Sequence, residues 1–404
     1  MTSASFFDWW QRPDLCYQQG DLVFAGRRVQ SLAAQFGAPA FVYSAARVRD
    51  NLERLHGALN ATGLAHRFSL YYAMKANRFA PLLTFIKQTG LCGIDACSPG
   101  EVEHAVSCGF APEDISFTAS SLSVGDLDCL ARYEGLFMDC DSLHALRSWG
   151  ERMPGARIGI RVNPGIGIGR VANDKLQYAG TVTSKFGIYE EQFAEALAVA
   201  RAYGLKVAKI HFHCGCGYQT SQLDQLERII AHCLRFVDAA ATVERVNIGG
   251  GLGVPHLPAD EGLDLQQWAA VLERQFAGRA LHVEIEPGDY IVKDAGLLLL
   301  EKTFVELKNN TMFVGVNAGF NIAPEPACYN LPFQPLPLFL EETPCHEVNV
   351  VGNINEALDV WYEKALLPDL SAHSHLVLIN AGAYSSSMAS NHCMRGQYKE
   401  FLLF

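Results

Sequence analysis

The stretch FSLYYAMKAN at residues 68–77 decides the fold, because it joins a short apolar run to a polar cluster that contains a lysine. Buried parallel strands show this pattern: a few apolar residues, then a loop and a segment long enough for a crossover helix. Seven later runs repeat it: GIDACS (93–98), ISFTAS (115–120), LFMDCDS (136–142), RIGIRVNP (157–164), KIHFHCGCG (209–217), RVNIGGG (245–251) and HVEIEPG (282–288). Eight such units predict an α/β fold, a (β/α)8 TIM-like barrel with its chemistry at the carboxyl ends of the strands.

The texture of the chain changes after Gly288. Strand-rich segments with turn residues follow, and helix patterns become scarce. This change predicts a C-terminal antiparallel β domain. We therefore expect a barrel over residues 41–290, a β domain over 291–404, and an N-terminal segment, 1–40, that joins the β domain.

Composition excludes several classes of function. The 404 residues are 49% hydrophobic and 19% charged, which predicts a large core rather than disorder. The net charge of −11, without Lys/Arg runs, argues against a nucleic-acid partner. No membrane-spanning stretch and no signal-peptide pattern is evident. The 12 cysteines lack CxxC pairs and paired histidine spacing, so we expect a reduced, cytoplasmic chain without a metal site.

Two features of the predicted rim point to one cofactor. Lys75 ends the first run, where we expect a desolvated amine that can attack a carbonyl. An isolated lysine reaching solvent is the alternative. The glycines at 249–251 end the seventh run, the usual phosphate corner of a barrel, and allow backbone N–H groups to approach an anion. A lysine and a phosphate site on one rim suggest pyridoxal phosphate.

Two further strand ends carry candidates for binding the cofactor ring. Glu286 ends the eighth run and could pair with the pyridine nitrogen, or it could cap a helix or pair with Arg161. His213 ends the sixth run and could stack on the ring, although a satisfied core histidine is the plainer interpretation.

Six motifs in order carry a resemblance to a known family. They are YAMKAN (72–77), RVNP (161–164), HFHCG (211–215), NIGGGLG (247–253), EPG (286–288) and AGAYSSSMASN (381–391). Together they resemble the fold-type III pyridoxal-phosphate-dependent decarboxylases, the ornithine/diaminopimelate/arginine decarboxylase group 2 family, and most closely its diaminopimelate-type members. The resemblance implies an alanine racemase-like fold, an amino-acid substrate and a homodimer with shared active sites.

The resemblance also assigns roles by position. Lys75 would be the Schiff-base lysine, Glu286 the partner of the pyridinium, and His213 the stacking residue. Asp95 and Ser98 match a D-x-x-S turn near the cofactor, and the phosphate would be bound by Gly250, Gly251 and Tyr384.

Four departures from the family pattern bear on the substrate. A cysteine that assists proton handling from the partner subunit is replaced by Asn355, which is followed by Glu356. Cys216 replaces a phosphate-contacting serine, a mild change because the backbone N–H can remain. Two arginines, which in the diaminopimelate-type members grip the distal carboxylate of the substrate or the phosphate, are replaced by Asp289 and, in the motif that also holds Tyr329, by Glu325.

The family resemblance implies decarboxylation of an amino acid or of an amino-acid conjugate. The changes of charge predict that this substrate is not diaminopimelate itself. We expect its far end to be neutral or cationic, with Glu325 or Glu356 as the partner. An amino-acid racemase or epimerase and a non-catalytic cofactor-binding homologue remain alternatives.

Overall fold

The computed structural model describes residues 9–170, 183–340 and 344–404. The chain divides into two compact units. The first, the β unit, comprises residues up to Asn51, Val254–Glu261 and Ile291–Phe404. The second, the barrel unit, comprises Leu52–Gly253 and Gly262–Tyr290.

The β unit begins with four short strands and one helix. The first three strands form an antiparallel sheet of their own. The elements are β1 (Leu15–Gln18), β2 (Asp21–Phe24), β3 (Arg27–Arg28), α1 (Val29–Phe36) and β4 (Ala40–Ser44).

Eight parallel strands close into a barrel, as the repeated runs predict. Their order is β10-β11-β12-β5-β6-β7-β8-β9. Every pair within the barrel is parallel, so all eight carboxyl ends lie at one end of it. The strands are β5 (Phe68–Ala73), β6 (Gly93–Ala96), β7 (Ile115–Ala119), β8 (Phe137–Cys140), β9 (Arg157–Arg161), β10 (Lys206–His211), β11 (Arg245–Asn247) and β12 (His282–Ile285).

Amphipathic helices follow most of the barrel strands. In the longest of these helices, Leu223–Ala239, three residues recur at helical spacing and are fully buried: Leu226, Ile230 and Cys233. The helices are α2 (Ala45–Asn60), α3 (Ala80–Thr89), α4 (Pro99–Ser107), α5 (Val124–Leu130), α6 (Leu143–Arg152), α7 (Glu190–Ala202), α8 (Leu223–Ala239), α9 (Leu265–Phe276) and α10 (Asp289–Val292). Short 3₁₀ turns lie at Met74–Ala76, Pro112–Asp114 and Thr220–Gln222.

The last third of the chain forms the main sheet of the β unit. Its strand order is β15-β18-β13-β14-β16-β17, with β4 joined to β13 and β19. The predicted antiparallel domain is confirmed, with parallel pairing only of β14 with β16 and β4 with β19 among these strands in the described ranges. The elements are β13 (Gly296–Lys308), β14 (Thr311–Val316), α11 (Glu325–Tyr329), β15 (Pro335–Pro337), β16 (His346–Val351), β17 (Val360–Leu367), β18 (His375–Ile379), β19 (Lys399–Leu403) and 3₁₀ turns at Ser386–Met388 and His392–Met394.

One predicted boundary is wrong. Residue 41 was expected to open the barrel, but β4 pairs with β13, Tyr43 lying opposite Gly296. All five residues of β4 are buried, and the strand lies between β13 and β19 with a sheet neighbour on each edge. An apolar run of this kind shows that a strand is interior without showing which sheet contains it.

Two expectations from composition can be compared with the structure. Within the described ranges, no helix combines the length and hydropathy needed to cross a membrane. All 12 cysteines are free thiols.

Candidate active site

Five of the predicted site residues follow neighbouring strands of the barrel. His213, Gly250, Glu286, Lys75 and Asp95 lie at or just beyond the carboxyl ends of β10, β11, β12, β5 and β6, which are consecutive in the barrel. The end of β5 and the loop after β12 are also joined, since the Ala73 N–H donates to the Pro287 carbonyl oxygen at 3.2 Å. Chain positions more than two hundred residues apart are thus neighbours on one rim.

Lys75 occupies the 3₁₀ turn Met74–Ala76 that directly follows β5. Its side chain is exposed, so the expectation of a desolvated lysine is wrong for this structure. The turn carries the lysine beyond the apolar part of the strand, whereas Met74 and Ala76 on either side are buried.

Glu286 is buried and held by three side chains. Its Oε1 accepts hydrogen bonds from Asn247 Nδ2 at 2.5 Å and Ser116 Oγ at 3.2 Å, and its Oε2 lies 3.3 Å from His211 Nε2. Burial by itself would raise the pKa of Glu286, but the charges of His211 and Lys209 and the hydrogen bonds lower it below its ordinary value. Glu286 is therefore a fixed, ionised carboxylate at neutral pH.

The pKa of Asp95 is shifted in the opposite direction to that of Glu286. It is 5% exposed, and burial together with the nearby charge of Glu286 raises its pKa to about 8. Two buried carboxyl groups on one rim thus have pKa values pushed apart, an arrangement typical of catalytic sites. Asp95 is protonated at neutral pH and can donate a hydrogen bond.

Ser98, the other residue of the D-x-x-S turn, caps a helix. Its Oγ accepts a hydrogen bond from the Glu101 N–H at 3.2 Å, which satisfies one of the free donors at the start of α4. The structure therefore gives Ser98 a local role that needs no cofactor, and a second role in binding the cofactor remains a prediction.

His213 is a neutral imidazole. Burial, with the charges of Arg161 and Lys75 next in size, lowers its pKa to about 3. A glycine at 249 makes space for the ring, because a Cβ there would lie 2.5 Å from His213 Nδ1. A neutral, half-buried ring is suited to stacking on an aromatic cofactor.

The glycine run supplies two donors for an anion. The Gly249 N–H donates to Asn247 Oδ1 at 2.8 Å, whereas the N–H groups of Gly250 and Gly251 donate to no other residue of the described ranges. Packing also requires these glycines: a Cβ at 250 would lie 2.1 Å from the Glu286 carbonyl oxygen. Adjacent backbone donors of this kind fit a phosphate group.

Cys216 differs from expectation in one respect. Its backbone N–H, expected to remain available to the phosphate, donates to the Ile168 carbonyl oxygen at 3.1 Å. This hydrogen bond joins the segments that contain Cys216 and Ile168, and it uses the backbone N–H of Cys216. Any contact of Cys216 with the phosphate has to come from the side chain.

Glu325 and Tyr384 belong to the β unit and lie near the same buried lysine. Glu325, the first residue of α11, is buried and forms an ion pair with Lys293, which is fully buried. Lys293 Nζ also lies 5.8 Å from the centroid of the half-buried Tyr384 ring. The inferred reversal of charge at position 325 therefore needs correction, because a cation that sequence reasoning did not consider balances Glu325.

The remaining predicted residues lie on loops and helix ends. Asn355 and Glu356 are exposed in the loop between β16 and β17, and Glu356 Oε1 lies 3.3 Å from His392 Nε2. Half-buried Tyr329 ends α11. Half-buried Asp289 begins α10, which spans the end of the barrel unit and the start of the last β-unit segment.

Sequence reasoning missed the side chains that hold Glu286. Ser116, His211 and Asn247 all lie on barrel strands and are buried. A signal was present, because Lys209, His211 and His213 alternate with apolar residues at the end of β10 and just beyond it, a spacing that predicts one shared face. Polar residues at inward positions of a barrel strand mark the interior of a site.

These groups fit one cofactor: a lysine amine, a neutral imidazole, an ionised carboxylate and two backbone donors on the rim of a parallel barrel. They define a barrel enzyme dependent on pyridoxal phosphate. Residues 46–293 match the family model described as the pyridoxal binding domain of pyridoxal-dependent decarboxylases. The chain belongs to this family and is a pyridoxal-phosphate-dependent amino-acid decarboxylase.

Relatives with known names agree with this assignment. A diaminopimelate decarboxylase of Methanothermobacter thermautotrophicus is 33% identical over 401 residues, which cover 95% of this chain and 91% of that protein. The enzyme of the same name from Escherichia coli K12 is 30% identical over 92% of this chain and 90% of its own length. A solved diaminopimelate decarboxylase superposes with a TM-score of 0.81 at 30% identity, covering 93% of this chain and 90% of that one.

Proposed function

We propose that the barrel rim around Lys75 removes the α-carboxylate of an amino acid whose far end is neutral or cationic. The observation that carries the proposal is the convergence of Lys75, His213, Glu286 and the glycine run on consecutive strand ends. Bound pyridoxal phosphate supplies a ring that accepts the electron pair left by the departing CO2.

The residues of the chain would bind and orient the cofactor and exchange protons with the substrate. Exposed Lys75 would hold the cofactor covalently and would return a proton to Cα. Glu286 would accept a hydrogen bond from the ring nitrogen, and His213 would pack against the ring face. Gly250 and Gly251 would direct their N–H groups to the phosphate, and the Cys216 side chain would be a further contact. The family resemblance also assigns Tyr384 to the phosphate.

Half-buried Asp289 supports the choice of substrate, because it stands where the family resemblance leads us to expect an arginine. A carboxylate at the far end of a substrate would be repelled by this group, whereas an amine would be attracted. Exposed Glu356 stands where the family also has an acid, so it does not distinguish the two kinds of substrate. Glu325 is less suited to this task, because Lys293 already balances its charge.

We also infer a homodimer, from the surface around the loop of Asn355 and Glu356. Buried Asp359 holds the base of this loop. Its carboxylate accepts hydrogen bonds from the backbone N–H of Ile354 at 2.6 Å and from that of Phe320 at 2.7 Å. A cavity of about 520 Å³ in the β unit is lined by Ala357 and Leu358 from the loop and by Pro326 and Ala327 from α11. A firmly held but exposed loop beside an open cavity fits contact with a second copy.

Mixing an inactive variant with a weakened one tests the dimer. Lys75→Ala abolishes activity, and Glu356→Ala weakens it if the loop serves the site of the partner. Mixed dimers would then contain one intact site, and activity would partly return after the two proteins are combined. No return of activity, with subunit exchange confirmed by mass spectrometry, would contradict sharing of the site.

A CO2-release assay with carboxyl-labelled substrates tests the choice of substrate. We expect turnover of substrates with cationic ends, such as lysine or ornithine, or neutral ends, such as norleucine, at higher kcat/KM than meso-diaminopimelate. Lys75→Ala should lose the visible absorbance of the protein-bound cofactor. Diaminopimelate is the second candidate, because the relatives at 30–33% identity carry that name. Its preferred turnover would overturn the charge argument.

A further inference from the structure

A file of alternating charges runs through the interior of the barrel. It begins at a half-exposed arginine at the amino end of β11 and finishes at Glu286 on the carboxyl end. Each member contacts the next, and the signs alternate. The charge file comprises, in order, Arg245, Glu284, Lys209, Asp139, His211 and Glu286.

The first half of the file is centred on Lys209. Its Nζ lies 3.1 Å from Glu284 Oε2 and 3.0 Å from Asp139 Oδ2, and Arg245 lies 3.0 Å from the other oxygen of Glu284. The side chains of Lys209, Asp139 and Glu284 are each at most 1% exposed. Barrel interiors are normally filled by layers of apolar side chains, and buried ions lose hydration, so this arrangement calls for an explanation.

The second half of the file reaches the cofactor carboxylate. His211 Nδ1 lies 3.0 Å from Asp139 Oδ2, and its Nε2 lies 3.3 Å from Glu286 Oε2. Burial would lower the pKa of His211, but Glu286 and Asp139 raise it to about 9, so the ring is a cation at neutral pH. A second route joins Lys209 to Glu286 through the hydroxyl of Ser116, which is 3.2 Å from each.

The backbone is adapted to the file. The pairing of β9 with β10 is irregular between Val207 and Lys209, and such bulges redirect a strand's side chains. Opposite Lys209 lies Gly159, where a Cβ would come within 1.9 Å of Asp139 Oδ1 and 3.0 Å of Lys209 Cε. A larger residue at 159 would therefore displace the file.

We propose that Lys209 and His211 are positioning residues that hold Glu286 ionised and correctly oriented for the ring nitrogen of the cofactor. This inference rests on the proposed role of Glu286. An ionised carboxylate can accept about four hydrogen bonds. Asn247, Ser116 and His211 engage three of these sites, which leaves one for the protonated ring nitrogen. The alternating file thus continues by one step, from the Glu286 anion to a pyridinium cation.

A pair of probes isolates the effect at the ring nitrogen. The cofactor-free protein is titrated with pyridoxal phosphate and with the analogue in which CH replaces the ring nitrogen. Only the first can form a hydrogen bond with Glu286, so the ratio of the two dissociation constants measures that bond. Binding is followed by quenching of protein fluorescence and does not depend on turnover.

His211→Gln and Lys209→Met should each reduce the preference for pyridoxal phosphate about tenfold or more, the size expected for a charge-assisted hydrogen bond. Affinity for the CH analogue should change little. The matched control is His282→Gln, because His282 is a half-buried barrel histidine that contacts Ser69 Oγ at 2.8 Å and lies outside the file. It should keep the wild-type ratio.

Glu286→Ala, which removes both the carboxylate and any side-chain hydrogen bond to the ring nitrogen, separates the two possible failures. If it keeps the wild-type ratio, the assignment of Glu286 to the ring nitrogen is wrong. If it abolishes the preference for pyridoxal phosphate over the CH analogue while His211→Gln and Lys209→Met retain this preference, the positioning role is wrong. Should the latter two variants not fold, Ser116→Ala removes the hydroxyl that joins Lys209 to Glu286 and lies 3.2 Å from each. An unchanged ratio in that variant would overturn the role of Lys209.

Discussion

Replacing His211 by glutamine should change how the stability of the cofactor-free protein depends on pH. In the folded chain, burial would lower the pKa of His211, but Glu286 and Asp139 raise it to about 9. In an unfolded chain it is about 6.5. The folded state therefore retains a proton that the unfolded state releases. The resulting stabilisation is complete below about pH 6.5 and is lost as the pH rises through about 9.

The size of the effect follows from these two pKa values. Their difference, 9 − 6.5, is 2.5 units, and each unit corresponds to about 1.36 kcal/mol, which gives about 3 kcal/mol. Urea unfolding of both cofactor-free proteins between about pH 6 and pH 10 measures it. The wild-type advantage over His211→Gln should shrink by about 3 kcal/mol across this range. Asp95, whose pKa is about 8, titrates in the same range, and the His211 charge helps to lower that pKa, so both proteins are compared in an Asp95→Asn background.

A second histidine provides the control. Burial lowers the pKa of His282 in the folded chain, so its folded and unfolded states differ in bound protons only towards acidic pH. His282→Gln should therefore keep a constant offset from wild type above about pH 7. If His211→Gln also shows a constant offset there, His211 is not a buried cation and the electrostatic interpretation of the file is refuted.

Three further outcomes are expected in the β unit and at the start of α4. Lys293→Met should lower the free energy of unfolding by about 3–5 kcal/mol in urea titrations, because Glu325 loses its cation inside the fold. The double variant with Glu325→Gln should recover most of this loss; no recovery would argue against a direct pair. Asp359→Ala should cost about 2–4 kcal/mol by thermal denaturation, since two charge-assisted hydrogen bonds disappear, while Asp369→Ala at an exposed turn should cost far less. Ser98→Ala should cost about 1 kcal/mol through loss of the helix cap, and a change to threonine should not.

Local sequence patterns encode the repeating architecture and most of the rim. Each barrel strand is encoded locally, as in FSLYYAMKAN at 68–77, and parallel closure brings the carboxyl ends together whatever lies between them. Lys75, His213 and Glu286 could therefore be placed on one rim before any distance was known. The order of the six motifs along the chain then indicated the family. Motif order can be read from the sequence because each motif lies at the end of one strand or in one loop.

Only the tertiary structure decided which charges face one another. Lys209 binds carboxylates on β8 and β12, and Glu325 binds Lys293 from a distant part of the chain. β4 is as apolar as a barrel strand but pairs in the other unit. The alternation of polar and apolar residues along a strand indicates whether a side chain faces inward. Which side chain it contacts there depends on strand order and register. For this reason the exposed Lys75 and the charge file behind Glu286 became evident only in three dimensions.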